Sequence, residues 1–198
     1  MTALILASGS PTRAAMLRRA GVMVEIAPAR VDEAETKLSL RAAGVSPRDQ
    51  ADSLAEMKAV RVSTRHPGAL VIGADQVLDL AGEALDKPES VAAAREDLLR
   101  LRGARHELFS AAVIALDGAP IWRHIGRARL TMRRFSEAFI DDYLASIGDD
   151  VFSTVGGYRI EETGAQLFAR VEGDWFTILG LPLLELLAFL RVRGVLQE

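Results

Sequence analysis

The sequence predicts an α/β protein in which a mixed sheet is flanked by helices. Short apolar runs typical of buried strands alternate with segments whose apolar residues recur at helical spacing. Of the 198 residues, 49% are apolar and 26% are charged, and neither a repeat nor a flexible linker divides the chain. Because a chain of this size can bury its own core without disulfides, we expect one domain spanning residues 1–198.

In the first half of the chain, serine–proline pairs mark two helix starts. Ser10 precedes Pro11 and Ser46 precedes Pro47, and a serine cap followed by proline favours the first turn of a helix. The elements predicted here are a strand at 3–7, a helix at 11–20, a strand at 22–27, a helix at 47–64 and a strand at 70–74. The carboxylate of Asp75 is expected at the end of that last strand.

The second half continues the alternation. Ser90 and Ser136 each precede a helical pattern and are predicted N-caps. The elements predicted here are a turn at 86–88, a helix after residue 90, strands at 106–116 and 121–132, a helix after residue 136, a loop at 148–157, a strand at 167–171 and a helix after residue 182.

Composition excludes several classes of protein. Cysteine is absent, which removes disulfides, thiolate metal sites and cysteine nucleophiles, and agrees with a cytoplasmic location. The net charge of -3 argues against bulk nucleic acid as a partner. No apolar run is long enough for an export signal or a membrane span. His66, His106 and His124 lack metal-ligand spacing, so each is expected either at the surface or packed in the core.

The junction between the first strand and helix is a candidate anion site. Small residues at Ser8 and Ser10 leave backbone N–H groups accessible, and Arg13 in the first turn can bind phosphate oxygens. The same pattern also suits an ordinary capped helix with a surface arginine. No P-loop or dinucleotide-binding glycine pattern is present.

Carboxylates and retained lysines form a second candidate set. Asp32 and Glu33 follow the second predicted strand, and Asp75 follows the third; such groups near an anion site suit a magnesium ion that holds a triphosphate. Only three of the 24 basic residues are lysines, so Lys58 and Lys87 become candidate phosphate ligands.

Short motifs of a recognisable kind occur along nearly the whole chain. They are LILASGSPTR at 4–13, VDE at 31–33, LAEMKA at 54–59, IGADQV at 72–77, DKP at 86–88, Gly103 with His106, GGY at 156–158 and GLPL at 180–183. With these motifs the chain resembles the Maf family of nucleoside triphosphate pyrophosphatases. Their order and spacing make the match specific.

The resemblance implies a fold related to the inosine triphosphate pyrophosphatases, with an elongated sheet, two lobes around a cleft and commonly a homodimer. It implies hydrolysis of a nucleoside triphosphate substrate to the monophosphate and pyrophosphate with Mg²⁺ or Mn²⁺. The roles that it implies are phosphate binding for Ser8, Ser10 and Arg13, metal binding and water activation for Glu33 and Asp75, and phosphate neutralisation for Lys58 and Lys87.

Three positions depart from parts of the family and bear on the substrate. Thr12 stands where many members have arginine or an aromatic residue. Thr154 and Glu161 stand where the thymidine and uridine triphosphate branch has lysine and glutamine, and Gln76 follows Asp75. Together these positions resemble the branch of the family that hydrolyses 7-methylguanosine triphosphate. That resemblance implies that Gln76 and Glu161 contact the substrate. The alternatives are the thymidine and uridine branch, or a septum-formation regulator that acts mainly by binding.

Overall fold

The computed structural model describes residues 3–197. In chain order the elements are β1 (Leu4–Leu6), α1 (Pro11–Arg19), β2 (Glu25–Ile26), α2 (Glu33–Ala42), α3 (Pro47–Ser63), β3 (Leu70–Leu80), β4 (Glu83–Leu85), α4 (Val91–Leu101), β5 (Arg105–Leu116), β6 (Ala119–Met132), α5 (Glu137–Ile147), β7 (Phe168–Glu172), α6 (Trp175–Ile178) and α7 (Leu183–Val192). Three 3-10 helices lie between α5 and β7, at Gly148–Ser153, Val155–Gly157 and Thr163–Leu167.

The strands form a mixed sheet, which confirms the predicted fold class. Its order is β2-β1-β3-β5-β6-β7, with β4 paired to β3. β1 pairs in parallel with β2 and β3, whereas the β3–β4 and β6–β7 pairs are antiparallel. The chain divides into two compact units: a first unit of the chain up to Gln76, 109–127 and 174 onward, and a second unit of 77–108 and 128–173.

In the first unit, apolar side chains cover both faces of the central parallel strands. Leu4 and Leu6 of β1 belong to a cluster that includes α1 and α7, whereas Ile5 of β1 packs with Val62 of α3. Successive strand residues point to opposite faces, so a strand with both faces covered is apolar throughout. This explains the continuous apolar run that the sequence shows at 3–7.

Most predicted helix starts are confirmed. Ser10, Ser46, Ser90 and Ser136 all accept a backbone N–H bond as N-caps of α1, α3, α4 and α5. The strand predicted at 22–27 is shorter, since β2 has only two residues. No helix in the described residues 3–197 combines the length and the apolar character needed to cross a membrane.

One expectation about the carboxylates was wrong in its local placement. Asp75 lies in the middle of the 11-residue strand β3 and not at a strand end, because β3 extends alongside β4. Asp32 and Glu33 follow β2 in the chain, as expected. Glu33 is the first residue of α2, a helix not predicted from the sequence, and the N-cap Asp32 accepts a hydrogen bond from Glu35 N.

Candidate active site

A lysine on α3 holds two of the predicted carboxylates together in the first unit. Lys58 Nζ lies 2.7 Å from Asp75 Oδ1 and 3.0 Å from Glu33 Oε1. Lys58 and Asp75 are both 6% exposed, whereas Glu33 is half-buried. An ion pair so shielded from water interacts more strongly than a surface pair. The structure therefore brings together three of the residues that the sequence singled out.

The contact between Lys58 and Asp75 depends on the close approach of α3 to β3. A Cβ atom added at Gly73 would clash with the backbone of α3 at Ala55 O and Ala59 N. Only glycine leaves the helix this near to the strand. On α3 the contact includes Ala59, the residue after Lys58, and on β3 it lies at Gly73, two residues before Asp75. The motif glycine is thus required by packing.

Arg13 occupies the start of α1, where its side chain is held by three oxygen acceptors. Its Nη1 donates to Ser8 Oγ at 3.1 Å and to Ala74 O at 3.0 Å, and its Nε donates to Gly180 O at 2.8 Å. Burial lowers the pKa of Arg13, an effect opposed by the negative charges of Asp75 and Glu33. Those opposing charges place Arg13 in the electrostatic field of the carboxylates that Lys58 pairs.

The two small residues before Arg13 act on the same junction. Ser8 is buried, and its Oγ also accepts from Ser10 N at 3.3 Å. Ser10 Oγ accepts from Arg13 N at 3.4 Å and so caps α1. Thr12, the departure from the family pattern, lies half-buried in the first turn. The backbone N–H groups of Ser10 and Arg13, which the sequence predicted to be accessible, therefore already donate to serine side chains at the start of α1.

Gln76 points away from Asp75, on the other face of β3. Its Nε2 lies 3.0 Å from Ser110 Oγ, 2.9 Å from Ile178 O and 3.2 Å from Thr177 O. An amide NH₂ has two hydrogens, so these acceptors occupy its donor capacity. Only the Oε1 atom of Gln76 is left for the substrate contact that the sequence predicted.

Lys87 and Glu161 belong to the second unit, where each is exposed. Glu161 Oε1 lies 3.5 Å from Arg159 Nε, and the same guanidinium also pairs with Asp150 at 2.8 Å and Glu162 at 3.1 Å. One positive charge therefore serves three carboxylates. Thr154 also departs from part of the family. Its Oγ1 atom is buried without a hydrogen-bond partner among the described residues.

The donor set of the first unit fits a divalent cation that also has phosphate ligands. Asp75 Oδ2 is buried and has no hydrogen-bond partner among the described residues, so this oxygen is available to a ligand. No group of three or more metal-binding side chains occurs within residues 3–197. Magnesium commonly uses one or two carboxylates together with substrate phosphates, which is what Asp75 and Glu33 can offer.

Sequence reasoning missed three groups around this site. Ser110 Oγ donates to Thr177 O at 2.7 Å, and Gly180 supplies the carbonyl that accepts from Arg13. Gly180 belongs to the GLPL motif at 180–183, so the sequence offered a signal for it. No local pattern marks Ser110 or the carbonyl of Thr177.

Histidine 106 has a packing role in the second unit, as expected. Its Nε2 lies 2.8 Å from Tyr158 Oη, and its ring contacts Phe168. Burial lowers the pKa of His106 to about 4 and raises the pKa of Tyr158. Both groups are therefore neutral near pH 7, and their hydrogen bond ties β5 to the segment after Gly157.

A family model and several curated relatives match nearly the whole of this chain. Residues 3–193 match the family model described as Maf-like protein. A protein named nucleoside triphosphate pyrophosphatase in Ruegeria pomeroyi is 50% identical, covering 98% of each chain. One of the same name in Sphingopyxis alaskensis is 56% identical, covering 98% of this chain and 99% of that one.

A third relative, in Mesorhizobium japonicum, is named 7-methyl-GTP pyrophosphatase and is 52% identical over 98% of each chain. A solved nucleoside-triphosphatase (dITP/XTP pyrophosphatase) from Mycobacterium abscessus has a TM-score of 0.40 and 20% identity over 68% of this chain and 76% of that chain, a likeness too distant to carry an argument. The family match and the identities of 50–56% lead to one conclusion, which is that this chain belongs to the Maf-like protein family.

Proposed function

We propose that this chain hydrolyses 7-methylguanosine triphosphate to the nucleoside monophosphate and pyrophosphate. The broader activity does not depend on the base: the chain is a nucleoside triphosphate pyrophosphatase, a hydrolase. That assignment follows from the family match over residues 3–193 and from relatives of that name at 50% and 56% identity.

The observation that carries the proposed chemistry is the buried contact of Lys58 with Asp75 and Glu33. Arg13 lies in the field of the same two carboxylates, so the first unit combines two cations with two anions. Positive groups stabilise the charge of a triphosphate, and carboxylates hold a cation or accept a proton from water. This combination suits the hydrolysis of a phosphoanhydride.

In the proposed reaction, water cleaves the bond between the α- and β-phosphates. The water oxygen forms a bond to the α-phosphorus and gives the nucleoside monophosphate, while the bond from that phosphorus to the bridging oxygen breaks and the bridging oxygen leaves with pyrophosphate. Glu33 is half-buried, so water can reach its carboxylate, which accepts the remaining proton. Ser8, Ser10 and Arg13 bind phosphate oxygens at the start of α1, and Lys58 and Lys87 neutralise their charge.

A divalent cation, Mg²⁺ or Mn²⁺, would be held by Asp75 Oδ2 and by Glu33, and when bound it would neutralise phosphate charge. Lys58 binds the other oxygen of Asp75, Oδ1, at 2.7 Å, and Oδ2 has no hydrogen-bond partner among the described residues. The homodimer and the cytoplasmic location remain predictions from the sequence.

The preference for a methylated guanine is proposed from Glu161. Methylation at N7 gives the guanine ring a positive charge, and its N1–H and N2–H groups are donors that a carboxylate accepts. Because Arg159 is shared among Asp150, Glu161 and Glu162, the segment retains negative charge that favours a cationic base. Uracil and thymine present carbonyl oxygens, which an ionised carboxylate repels. The relative named 7-methyl-GTP pyrophosphatase supports the same preference.

The test is pyrophosphate release from 7-methylguanosine, guanosine, thymidine, uridine and 5-methyluridine triphosphates at equal concentration with Mg²⁺ or Mn²⁺. We expect the methylated guanine nucleotide to give the highest kcat/KM. Glu161→Gln should lower that value by about tenfold, the loss of one charge-assisted hydrogen bond. Glu162→Gln is the matched control, since Glu162 also pairs with Arg159, and should stay within about twofold.

Three outcomes contradict parts of this proposal. Higher kcat/KM for thymidine or uridine triphosphate would assign the chain to the other branch of the family. Equal losses in Glu161→Gln and its neighbouring control would remove Glu161 from base recognition. No pyrophosphate from any nucleotide would favour a septum-formation regulator that acts by binding.

A further inference from the structure

Ser110 lies at the centre of a buried hydrogen-bond network to which the proposed reaction assigns no role. The residue is on β5 and is 0% exposed. Its Oγ donates to Thr177 O at 2.7 Å and accepts from Gln76 Nε2 at 3.0 Å. A buried hydroxyl with both functions satisfied fixes its partners, because an unpaired polar group there costs free energy.

The partners of Ser110 meet at the end of α6 and the turn after it, residues 177–180, which we call the 177–180 turn. Gln76 Nε2 lies within 2.9 Å of Ile178 O, and Gly180 N donates to Thr177 O at 3.0 Å. On the other side, Gly126 of β6 lies so close that an added Cβ would clash with the Thr177 side chain. The turn is therefore fixed by Ser110 and Gln76 from the sheet and by the packing of Gly126.

The last residue of this turn binds Arg13. Gly180 has a φ of +102°, a conformation that favours glycine, and its carbonyl accepts from Arg13 Nε at 2.8 Å. The other anchors of the guanidinium, Ala74 O and Ser8 Oγ, bind only Nη1. The orientation of the Arg13 plane therefore depends on the Gly180 carbonyl as well as on β3.

We propose that Ser110 is a positioning residue for Arg13, acting through Gln76 and the 177–180 turn to hold the guanidinium in its phosphate-binding orientation. This inference rests on the proposed function, which makes Arg13 a phosphate ligand. The proposal also assigns a role to the amide hydrogens of Gln76. They donate to Ser110 and to the 177–180 turn, and so link the two.

Removing the hydroxyl should affect phosphate binding more than turnover of bound substrate. In Ser110→Ala, Gln76 loses an acceptor and Thr177 O loses a donor, so the turn and its carbonyl become free to shift. We expect KM for the nucleotide to rise about tenfold and kcat to change by less than about threefold, as for loss of a binding contact.

The experiment compares four chains: wild type, Ser110→Ala, Arg13→Ala and the double variant. Affinity for inorganic triphosphate is measured by calorimetry, and kcat and KM are measured with whichever nucleotide the wild type hydrolyses. Ser63→Ala is the matched control, because Ser63 is also 0% exposed and its Oγ accepts a single backbone bond from Gly118 N at 3.0 Å. The control should lose a similar amount of thermal stability while its triphosphate affinity stays within about twofold of wild type.

Coupling between the two sites decides the result. If Ser110 acts through Arg13, Ser110→Ala weakens triphosphate binding about tenfold in the wild type and less than about twofold in the Arg13→Ala background. Equal effects in both backgrounds, or an equal effect in Ser63→Ala, would overturn the positioning role. A wild type that binds triphosphate but hydrolyses no nucleotide would overturn the proposed function alone, and one that does not bind triphosphate would overturn both.

Discussion

Replacing Lys58 with methionine should destabilise the protein through the carboxylate it leaves behind. Asp75 is only 6% exposed, and its Oδ1 is paired with Lys58 Nζ at 2.7 Å while Oδ2 has no partner among the described residues. Without Lys58 the charge stays buried with neither oxygen paired. Removing one partner of such a pair costs about 3–5 kcal/mol.

The exposure of Glu33 and Asp75 indicates how much each contributes to the loss of stability in Lys58→Met. Glu33 has a side chain that is 43% exposed, so its contact with Lys58 at 3.0 Å contributes less than about 1 kcal/mol. Most of the loss should therefore come from Asp75. Asp75→Asn removes that charge and keeps an oxygen that accepts from Lys58, so the double variant Lys58→Met/Asp75→Asn should be more stable than Lys58→Met alone.

The assay is urea unfolding of the wild type, both single variants and the double variant in buffer with a metal chelator, so that no cation replaces the ammonium. Arg48→Met is the control, because it breaks an exposed ion pair. The side chains of Arg48 and Asp49 are 56% and 54% exposed. We expect little change in this control. Additive losses within about 0.5 kcal/mol in the double variant would refute the argument from the buried charge.

Three further results are expected. Asp75→Asn should reduce pyrophosphate release at least about a hundredfold with unchanged circular dichroism, since a charge is lost at constant volume; near-normal turnover would make Asp75 purely structural. Lys87→Arg should lower kcat/KM about tenfold, because a planar guanidinium does not replace a compact ammonium against phosphate; wild-type kinetics would contradict the argument from retained lysines. Burial lowers the pKa of His106 to about 4, whereas the pKa of a histidine in the unfolded chain is about 6.5. Below about pH 6.5 the unfolded chain therefore binds more protons than the folded chain. The free energy of unfolding should decrease as the pH falls from about 6.5 to 4. His106→Gln should lessen the decrease in urea midpoint from pH 7 to 5, and an identical decrease would show that other groups cause it.

Local signals in the sequence predicted most helix starts and most strands correctly. Ser10 before Pro11 is sufficient because a cap acts on the N–H groups of its own first turn, and Arg13 N is the donor to Ser10 Oγ. The start of α2 was missed although Asp32 and Glu35, three residues apart, carry a comparable signal.

The site itself depends on contacts that no local pattern encodes. Asp75 was expected to end a strand because the apolar run stops at Ala74, but Lys58, 17 residues earlier in the chain, pairs with its carboxylate inside β3. Ser110 lies 34 residues after Gln76 and 67 residues before Thr177, so its role is defined only when β3, β5 and α6 meet. The family motifs include Lys58, Asp75 and Glu33, which the structure brings together, because family resemblance records such distant contacts without explaining them.

Strand β3 gives three consecutive residues three separate tasks. The carbonyl of Ala74 holds Arg13, the carboxylate of Asp75 holds Lys58 on one face, and the amide of Gln76 holds Ser110 on the other. If β3 slipped by a single residue against β1, whose pairing begins at Leu4 and Leu70, each of these groups would be presented to the wrong neighbour. A mispaired chain could keep much of its apolar core, since both faces of the strand are covered, and still lack the site. Correct strand alignment during folding is consequently a condition for enzymatic activity in its own right.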